Sequence, residues 1–187
     1  MKDIWQKTEK ILTEGGIAVV PTDTLYGLCA STFDKKAIEK IYKIKKRDKS
    51  KPLIVLISSV EQLKDFGIDL SLLKEGIQGS KGSIFKPKVS ILLECKSPKF
   101  KYIHRGTGEI AFRLIGKKNK NLYKLISKVG PIVAPSANIE GSKPAINITE
   151  AKNYFGDKVD RYVDGGKKTG MPSTLIRVKN NKIEILR

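Results

Sequence analysis

The chain of 187 residues carries 37 lysines and arginines against 19 aspartates and glutamates, which gives a formal net charge of +18. Its 40% hydrophobic content excludes a disordered chain, and no apolar run approaches the ~20 residues that span a bilayer. The N-terminal residues mix charges into apolar positions, unlike a signal peptide. We therefore expect a soluble cytoplasmic protein with one domain over residues 1–187, whose charge attracts nucleotides, RNA or acidic membranes without selecting among them.

The first half of the chain alternates between helical and extended patterns. A helix over residues 2–14 ends at a pair of glycines, and a short buried strand over residues 16–20 stops at Pro21. Asp34 is placed to cap a second helix, which ends in the cationic run KIKKRDKSK. PLIVLI then reads as a buried strand, and SSVEQLKDFG has the spacing of a capping box.

The second half continues this alternation of helices and strands and ends in the pattern of a hairpin. We predict a weak helix at SLLKEGI, strands at VSILLEC and EIAFRLI, and helices at NLYKLISKVG and ITEAKNYFG. PIVAPSAN is a short apolar strand broken by proline, and STLIRVKNNKIEILR has the pattern of a hairpin. Alternating helices and strands that finish in a hairpin predict a single α/β domain built on a mixed sheet.

The cysteines and the histidine are too sparse for a metal site. Cys29 and Cys95 lie far apart in apolar stretches, and His104 is the single histidine. These positions favour buried, reduced thiols over a disulfide or a metal cluster. Any metal ion in the reaction would then be held through a substrate's phosphates.

Small polar residues follow two of the predicted strands. Thr22, Asp23 and Thr24 come after the first strand, and Ser136 and Asn138 follow the strand in PIVAPSAN. Loops at strand ends are common ligand sites, because the sheet fixes their ends while the loops face solvent. The alternative is a pair of ordinary turns whose side chains satisfy their own backbone.

Cationic residues suggest where an anion would bind. Lys45 and Arg47 are two residues apart, so they would face the same side if the chain is extended there, and together they suit a phosphate or carboxylate. The alternative is a solvent-facing charge run at the end of a helix. Arg113 alternates with Ala111 on an otherwise apolar strand, so its guanidinium should have a carboxylate or another anion as its partner.

Several segments together resemble one family. PTDTLYGL, KKRDKSKPLIVLI, EIAFRL, APSANIEG, DGG and PSTLIRV…IEILR match the order and spacing of the YrdC/TsaC family of threonylcarbamoyl-AMP synthases over essentially the whole chain. The resemblance implies a YrdC-like twisted, open mixed sheet flanked by helices, with a positively charged concave surface. It also implies synthesis of threonylcarbamoyl-AMP and pyrophosphate from L-threonine, bicarbonate or carbon dioxide, and ATP, with Mg²⁺ held through the ATP phosphates. The product would pass to threonylcarbamoyl-transferase proteins that modify tRNA; whether tRNA contacts this chain stays open.

The resemblance assigns roles to particular residues. Lys45 and Arg47 would act on the ATP phosphates and the reacting carbamate. The residues implied to bind ATP are Arg47, Lys51, Ala134, Ser136, Asn138 and Arg187. The residues implied to bind L-threonine are Thr22, Thr24, Tyr26, Arg113 and Ser173.

The chain departs from the family pattern at several positions. Asp48 stands where many members have proline, and Leu56 stands where some have a histidine that contacts threonine. FKPKVS replaces the usual Pro-Gly-Pro segment and carries Ser90 in place of threonine, and the chain ends at Arg187 without the C-terminal domain of longer members.

Two other classes are compatible with parts of the pattern. A non-catalytic RNA-binding protein would explain the charge through a basic concave surface, but it would not need an arginine inside a strand. The riboflavin-pathway butanone-phosphate synthase has a similar fold with an acidic metal site, and the strand-end loops of this sequence carry no acidic cluster.

Overall fold

A single mixed sheet organises the protein. The computed structural model describes residues 2–70, 85–95, 97–179 and 182–186. Its strands are β1 (Ala18–Pro21), β2 (Tyr26–Ser31), β3 (Ile54–Ile57), β4 (Val89–Glu94), β5 (Glu109–Leu114), β6 (Ile132–Val133), β7 (Arg161–Tyr162), β8 (Thr174–Lys179) and β9 (Lys182–Ile185). They form a nine-stranded sheet in the order β7-β1-β2-β6-β3-β5-β4-β8-β9. The mixed α/β sheet predicted from the sequence is therefore confirmed.

The helices pack on both faces of this sheet. The α-helices of the described residues are α1 (Lys2–Thr13), α2 (Lys35–Lys45), α3 (Lys101–His104), α4 (Lys120–Val129) and α5 (Ile148–Phe155). Short 3-10 helices cover Val60–Phe66, Pro98–Phe100 and Gly156–Lys158. Residues of α2, α3 and α5 bury their apolar sides in the larger core, and α1 and α4 cover a smaller core on the other face. No helix within the described ranges is long and apolar enough to cross a membrane.

Strand pairing decides which side chains reach the site. β1 and β2 form an antiparallel hairpin, β3 and β5 pair in parallel, and β4 lies between β5 and β8. Along β5, Ile110 and Phe112 point into the larger core. Since side chains alternate along a strand, Ala111 and Arg113 lie on the opposite face. The terminal hairpin is confirmed, because β8 and β9 pair antiparallel on either side of residues 180–181.

The start of helix α2 agrees with its sequence pattern, whereas the segment after its end differs from the expected conformation. The Asp34 carboxylate accepts a hydrogen bond from the Ala37 amide at 2.8 Å, as expected of a helix cap. The chain leaves α2 at Lys45, as the residues that follow suggest, but Lys46 is left-handed, with φ of 49°, so the segment from Lys45 to Arg47 is not extended. The predicted SLLKEGI helix lies outside the described residues.

The two cysteine thiols are buried and reduced, as the sequence predicts. Cys29 and Cys95 are both free and buried. Burial raises the pKa of Cys29 to about 12, so this thiol stays protonated and chemically inert near neutral pH.

Candidate active site

The turn between β1 and β2 is held by its own hydroxyl group. Thr22 Oγ1 donates to the Leu25 carbonyl at 2.6 Å and accepts from the Thr24 amide at 3.2 Å. The self-satisfying turn considered from the sequence therefore holds for Thr22. The Thr24 hydroxyl lies 3.2 Å from that of Thr22 and also lines a pocket, so it retains hydrogen-bonding capacity toward a ligand.

This pocket unites all five of the threonine-binding residues implied by the resemblance. Its volume is about 120 Å³, which is more than a single water needs. Loops from three parts of the chain meet there: the β1–β2 turn, the segment after β6, and the segment before β8. The predicted residues that line it are Thr22, Thr24, Tyr26, Arg113, Ala134, Ser136 and Ser173.

Arg113 places a positive charge in the wall of the pocket. The residue is only 4% exposed, and its Nη2 lies 3.2 Å from Asp23 Oδ1. The sequence prediction that this arginine has an anionic partner is confirmed. Asp23 lies in the strand-end loop but is not among the predicted site residues, because the sequence gives no indication of which carboxylate reaches β5.

The residue paired with Arg113 across the sheet is one of the departures from the family pattern. Leu56 of β3 stands opposite Arg113 in the parallel register. Its side chain is fully buried in the smaller core, together with residues of α1 and α4. This position therefore contributes packing beneath the arginine and offers no polar group to a ligand.

A segment over residues 164–173 closes one side of the pocket. The Tyr26 hydroxyl donates to the Gly166 carbonyl at 2.7 Å and accepts from the Gly165 amide at 2.9 Å. Gly170 lies so close to the hairpin that a Cβ there would be 2.3 Å from the Thr24 carbonyl oxygen. The 164–173 segment is thereby fixed against the β1–β2 turn.

That segment delivers Ser173 to the pocket. Ser173 is 3% exposed, and its hydroxyl lies 2.8 Å from the hydroxyl of Ser90 on β4. Ser90 is the residue that stands where the family has threonine. A serine still supplies the hydroxyl group that supports Ser173 from behind.

Lys45 is buried and ties α2 to the loop after β6. Its Nζ donates to the carbonyls of Ser136 and Asn138, the latter at 2.6 Å, and the side chain is 2% exposed. Burial, together with the nearby charge of Arg47, lowers the pKa of Lys45 to about 7. A solvent-facing charge run, the alternative considered from the sequence, is wrong for Lys45.

Asn138 organises the same loop from within. Its Oδ1 accepts from the Ser136 hydroxyl, and its Nδ2 donates to the carbonyls of Ile139 and Ser142 at 2.9 and 2.8 Å. Both ends of the amide are therefore used inside the protein. Asn138 is not among the residues that line the pocket, whereas Ser136 is.

The chain after α2 presents further cations beside this loop. We call residues 45–51 the cationic loop. Arg47 donates from Nη2 to the Pro52 carbonyl at 2.9 Å, and its Nε is buried without a hydrogen-bond partner in the described part of the chain. Lys51 Nζ lies 2.6 Å from Glu140 Oε1. Lys45, Arg47 and Lys51 do not line the pocket, and Arg187 lies outside the described residues.

Glu140 joins the cationic loop to the loop after β6, and the sequence reasoning missed it. One carboxylate oxygen accepts from Lys51 and the other from the Asp48 amide, while the Glu140 amide donates to the Lys45 carbonyl at 2.8 Å. The hydrogen bond from Lys51 is the main reason why the pKa of Glu140 is lowered. Asp48 therefore belongs to an ordered loop although it replaces proline.

The chain is similar in sequence to proteins that are named threonylcarbamoyl-AMP synthases. A putative threonylcarbamoyl-AMP synthase of Methanocaldococcus jannaschii is 29% identical, over 100% of this chain and 86% of its own length. The threonylcarbamoyl-AMP synthase of Pyrococcus abyssi is 30% identical, over 88% of this chain and 48% of its own length. These names favour an enzyme over the RNA-binding alternative.

The fold comparison agrees with this. The structure of Pyrococcus abyssi Sua5 complexed with L-threonine superposes with a TM-score of 0.83 at 27% identity, covering 98% of this chain and 53% of that one. The chain thus spans about half the length of the Pyrococcus proteins that it matches. The family model Sua5_yciO_yrdC, described as telomere recombination, matches residues 10–187. The predicted resemblance is confirmed, and the chain belongs to the Sua5/YciO/YrdC family.

Proposed function

We propose that this chain is an L-threonylcarbamoyladenylate synthase, which condenses L-threonine, bicarbonate or carbon dioxide, and ATP into threonylcarbamoyl-AMP and pyrophosphate. The observation that carries the proposal is the buried Arg113 guanidinium in a pocket that also contains the hydroxyls of Thr24 and Ser173. A guanidinium suits a carboxylate, and hydroxyls suit a hydroxy amino acid. The names of the relatives, and the L-threonine bound to Pyrococcus abyssi Sua5, support the same assignment.

In this proposal threonine occupies the pocket. Its carboxylate lies against Arg113, and the hydroxyls of Thr24 and Ser173 face its polar groups. Thr22 and Tyr26 form the wall through the contacts that fix the β1–β2 turn and the 164–173 segment. The pocket volume of about 120 Å³ suits a small amino acid rather than a nucleotide.

ATP would then bind beside the pocket, along the cationic loop. Arg47 and Lys51 provide charge for the phosphates, and Arg187 would add a further contact. Ala134 and Ser136 line the pocket and would separate the nucleotide from threonine. Lys45 and Asn138 hold the loop after β6 in place through their internal hydrogen bonds, and we assign the ATP contact on this loop to Ser136 and its backbone.

The reaction requires positioning and charge stabilisation more than covalent help. The threonine amine adds to carbon dioxide to give a carbamate, a carbamate oxygen attacks the α-phosphorus of ATP in line, and pyrophosphate leaves. Cations near the phosphates, Arg47 first among them, stabilise the charge that develops, while Lys45 holds the loop after β6 beside them through its internal hydrogen bonds. No group of His, Cys, Asp and Glu in the described ranges could hold a metal ion, so Mg²⁺ would enter bound to the ATP phosphates.

The cellular setting follows from this chemistry and is part of the proposal. The reaction would take place in the cytoplasm, within one domain over residues 1–187. The product would go to threonylcarbamoyl-transferase proteins acting on tRNA. The net charge of +18 would favour a positively charged concave surface beside the pocket, which tRNA could contact.

Release of pyrophosphate tests the proposed function. The purified protein should release pyrophosphate from ATP only when L-threonine and bicarbonate are both present. Arg113→Lys should weaken this activity. Arg177→Lys should not, because Arg177 pairs with Glu109 at 2.9 Å outside the pocket. Release at an equal rate without threonine would contradict the assignment.

A further inference from the structure

We propose that Lys51 Nζ and the Asp48 amide form a phosphate subsite, which the Glu140 carboxylate fills in this structure and which a polyphosphate takes over when it binds. The inference rests on the proposed function and deepens it, because ATP is the polyphosphate that the proposed reaction brings to the cationic loop. It makes the Asp48 amide a ligand group and Glu140 a competing internal anion. Neither residue is among the site residues that the family resemblance implies.

The Glu140 carboxylate is held by the kinds of donor that bind phosphate. One oxygen accepts a hydrogen bond from Lys51 Nζ at 2.6 Å, and the other accepts from the Asp48 amide. These two hydrogen bonds, that from Lys51 first, are the main causes of the lowered pKa of Glu140, and the charge of Arg47 contributes as well. Ammonium groups and backbone amides also bind phosphate oxygens, so the same two donors suit either anion.

The Asp48 amide can donate because this residue is not a proline. Many members of the family have proline at this position, and proline has no N–H group. The Asp48 side chain also shapes the turn, since its Oδ1 accepts from the Ser50 amide at 2.9 Å and from the Ser50 hydroxyl at 2.8 Å. The Lys51 amide closes the turn onto the Asp48 carbonyl at 3.2 Å. The turn therefore presents the Asp48 amide and the Lys51 side chain to the same anion.

A ligand can reach this subsite from solvent. The Lys51 and Glu140 side chains are 54% and 24% exposed, and residues 48–50 are exposed as well. An ion pair this exposed is only weakly stabilising, so exchanging Glu140 for another anion costs little. The loops stay joined during the exchange, because the Glu140 amide donates to the Lys45 carbonyl and Lys45 Nζ donates to the loop after β6. Only the Glu140 side chain has to move.

A short stretch of chain connects the subsite to the pocket. Ser136 lines the pocket, and Glu140 follows four residues later in the loop after β6. Lys45 Nζ donates to the Ser136 carbonyl, so this stretch is fixed against the start of the cationic loop. A polyphosphate carries several charges and many acceptor oxygens, whereas Glu140 offers one charge. The polyphosphate therefore replaces the carboxylate at its two donors.

Calorimetric titration of the full chain with inorganic triphosphate and with ATP, both without L-threonine, tests this inference. Glu140→Gln keeps the length of the side chain and removes its charge. Both polyphosphates should then bind about two- to fivefold more tightly, the range expected when a solvent-exposed ion pair no longer competes. The affinity for L-threonine should stay the same.

Glu9→Gln is the matched control for this variant. Glu9 pairs with Lys128 at 3.0 Å between α1 and α4, and the two side chains are 31% and 58% exposed, much like the pair of Glu140 and Lys51. The change in net charge is the same in both variants. Glu9→Gln should therefore leave the affinities for triphosphate and ATP unchanged.

The amide signal of Asp48 reports the exchange directly. In NMR spectra of the nitrogen-15-labelled wild type, this signal should shift when triphosphate saturates the protein. Glu140→Gln should shift it without any ligand, because the charged acceptor is gone.

Other results would overturn the inference. Unchanged or weaker polyphosphate binding by Glu140→Gln would mean that Glu140 only holds the loop, and an equal gain in Glu9→Gln would reduce the effect to net charge. An Asp48 amide that does not respond to saturating triphosphate, or a wild type that does not bind triphosphate, would contradict the subsite. Failure of the proposed function would appear separately, as wild-type pyrophosphate release that does not need threonine, because the triphosphate titration requires no reaction.

Discussion

Replacing Lys45 by methionine tests the role of the buried ammonium as a structural tie. Methionine keeps an unbranched side chain of similar length but cannot donate to the carbonyls of Ser136 and Asn138. Leaving a buried acceptor without its donor costs about 1–2 kcal/mol, so the variant should lose ~2–4 kcal/mol of unfolding free energy. For a chain of this size that corresponds to a fall in melting temperature of about 5–15 °C.

Arg47→Met is the matched control for this change. The Arg47 side chain is half-buried and donates a hydrogen bond to the Pro52 carbonyl at 2.9 Å. Its removal should cost less than about 1 kcal/mol. Urea unfolding of both variants gives the free energies, and a constant slope with denaturant would show that both unfold as the wild type does. Equal destabilisation by the two changes, or a Lys45→Met protein as stable as the wild type, would refute the structural tie.

The remaining predictions concern pH and the pocket. Burial lowers the pKa of Lys45 to about 7 while the unfolded chain keeps a value of about 10.4, so the unfolded state binds more protons between these values. The stability of the wild type relative to Lys45→Met should therefore rise from about pH 7 to about pH 10 in urea titrations, and a constant difference would contradict this. Gly170→Ala, whose Cβ would lie 2.3 Å from the Thr24 carbonyl oxygen, should weaken threonine binding in calorimetry, while Gly116→Ala, which has open space, should not. Arg113→Lys should reduce threonine affinity by ~1–3 kcal/mol and leave ATP affinity unchanged; an equal loss for both ligands would make its role structural.

Elements with a strong local pattern could be predicted from the sequence. Helical periodicity and the Asp34 cap locate α2, and alternation locates β8 and β9. β2 was not predicted, because YGLCAS has few β-branched residues and gains its stability from pairing with β1 and β6. The short β7 depends in the same way on its parallel contact with β1.

The site shows the same division between local and tertiary information. An arginine on an apolar strand predicts an anionic partner, but the identity of Asp23 depends on how the β1–β2 turn reaches β5. Lys45 lies in a run of lysines that is typical of a solvated helix end, and only the carbonyls of the loop after β6 make its burial tolerable. The role of Glu140 likewise depends on tertiary structure, because its ion pair with Lys51 forms only where the cationic loop lies beside the loop after β6.

Mass spectrometry of the nucleotide product shows whether this chain joins L-threonine, bicarbonate and the AMP part of ATP into one molecule. The purified protein is incubated with ATP, Mg²⁺, L-threonine and carbon-13 bicarbonate, and the adenylates are separated and weighed. We expect threonylcarbamoyl-AMP whose carbamoyl carbon carries the label, and no such species when L-threonine is left out. Consumption of ATP without a labelled threonine adduct would contradict the proposed synthase activity.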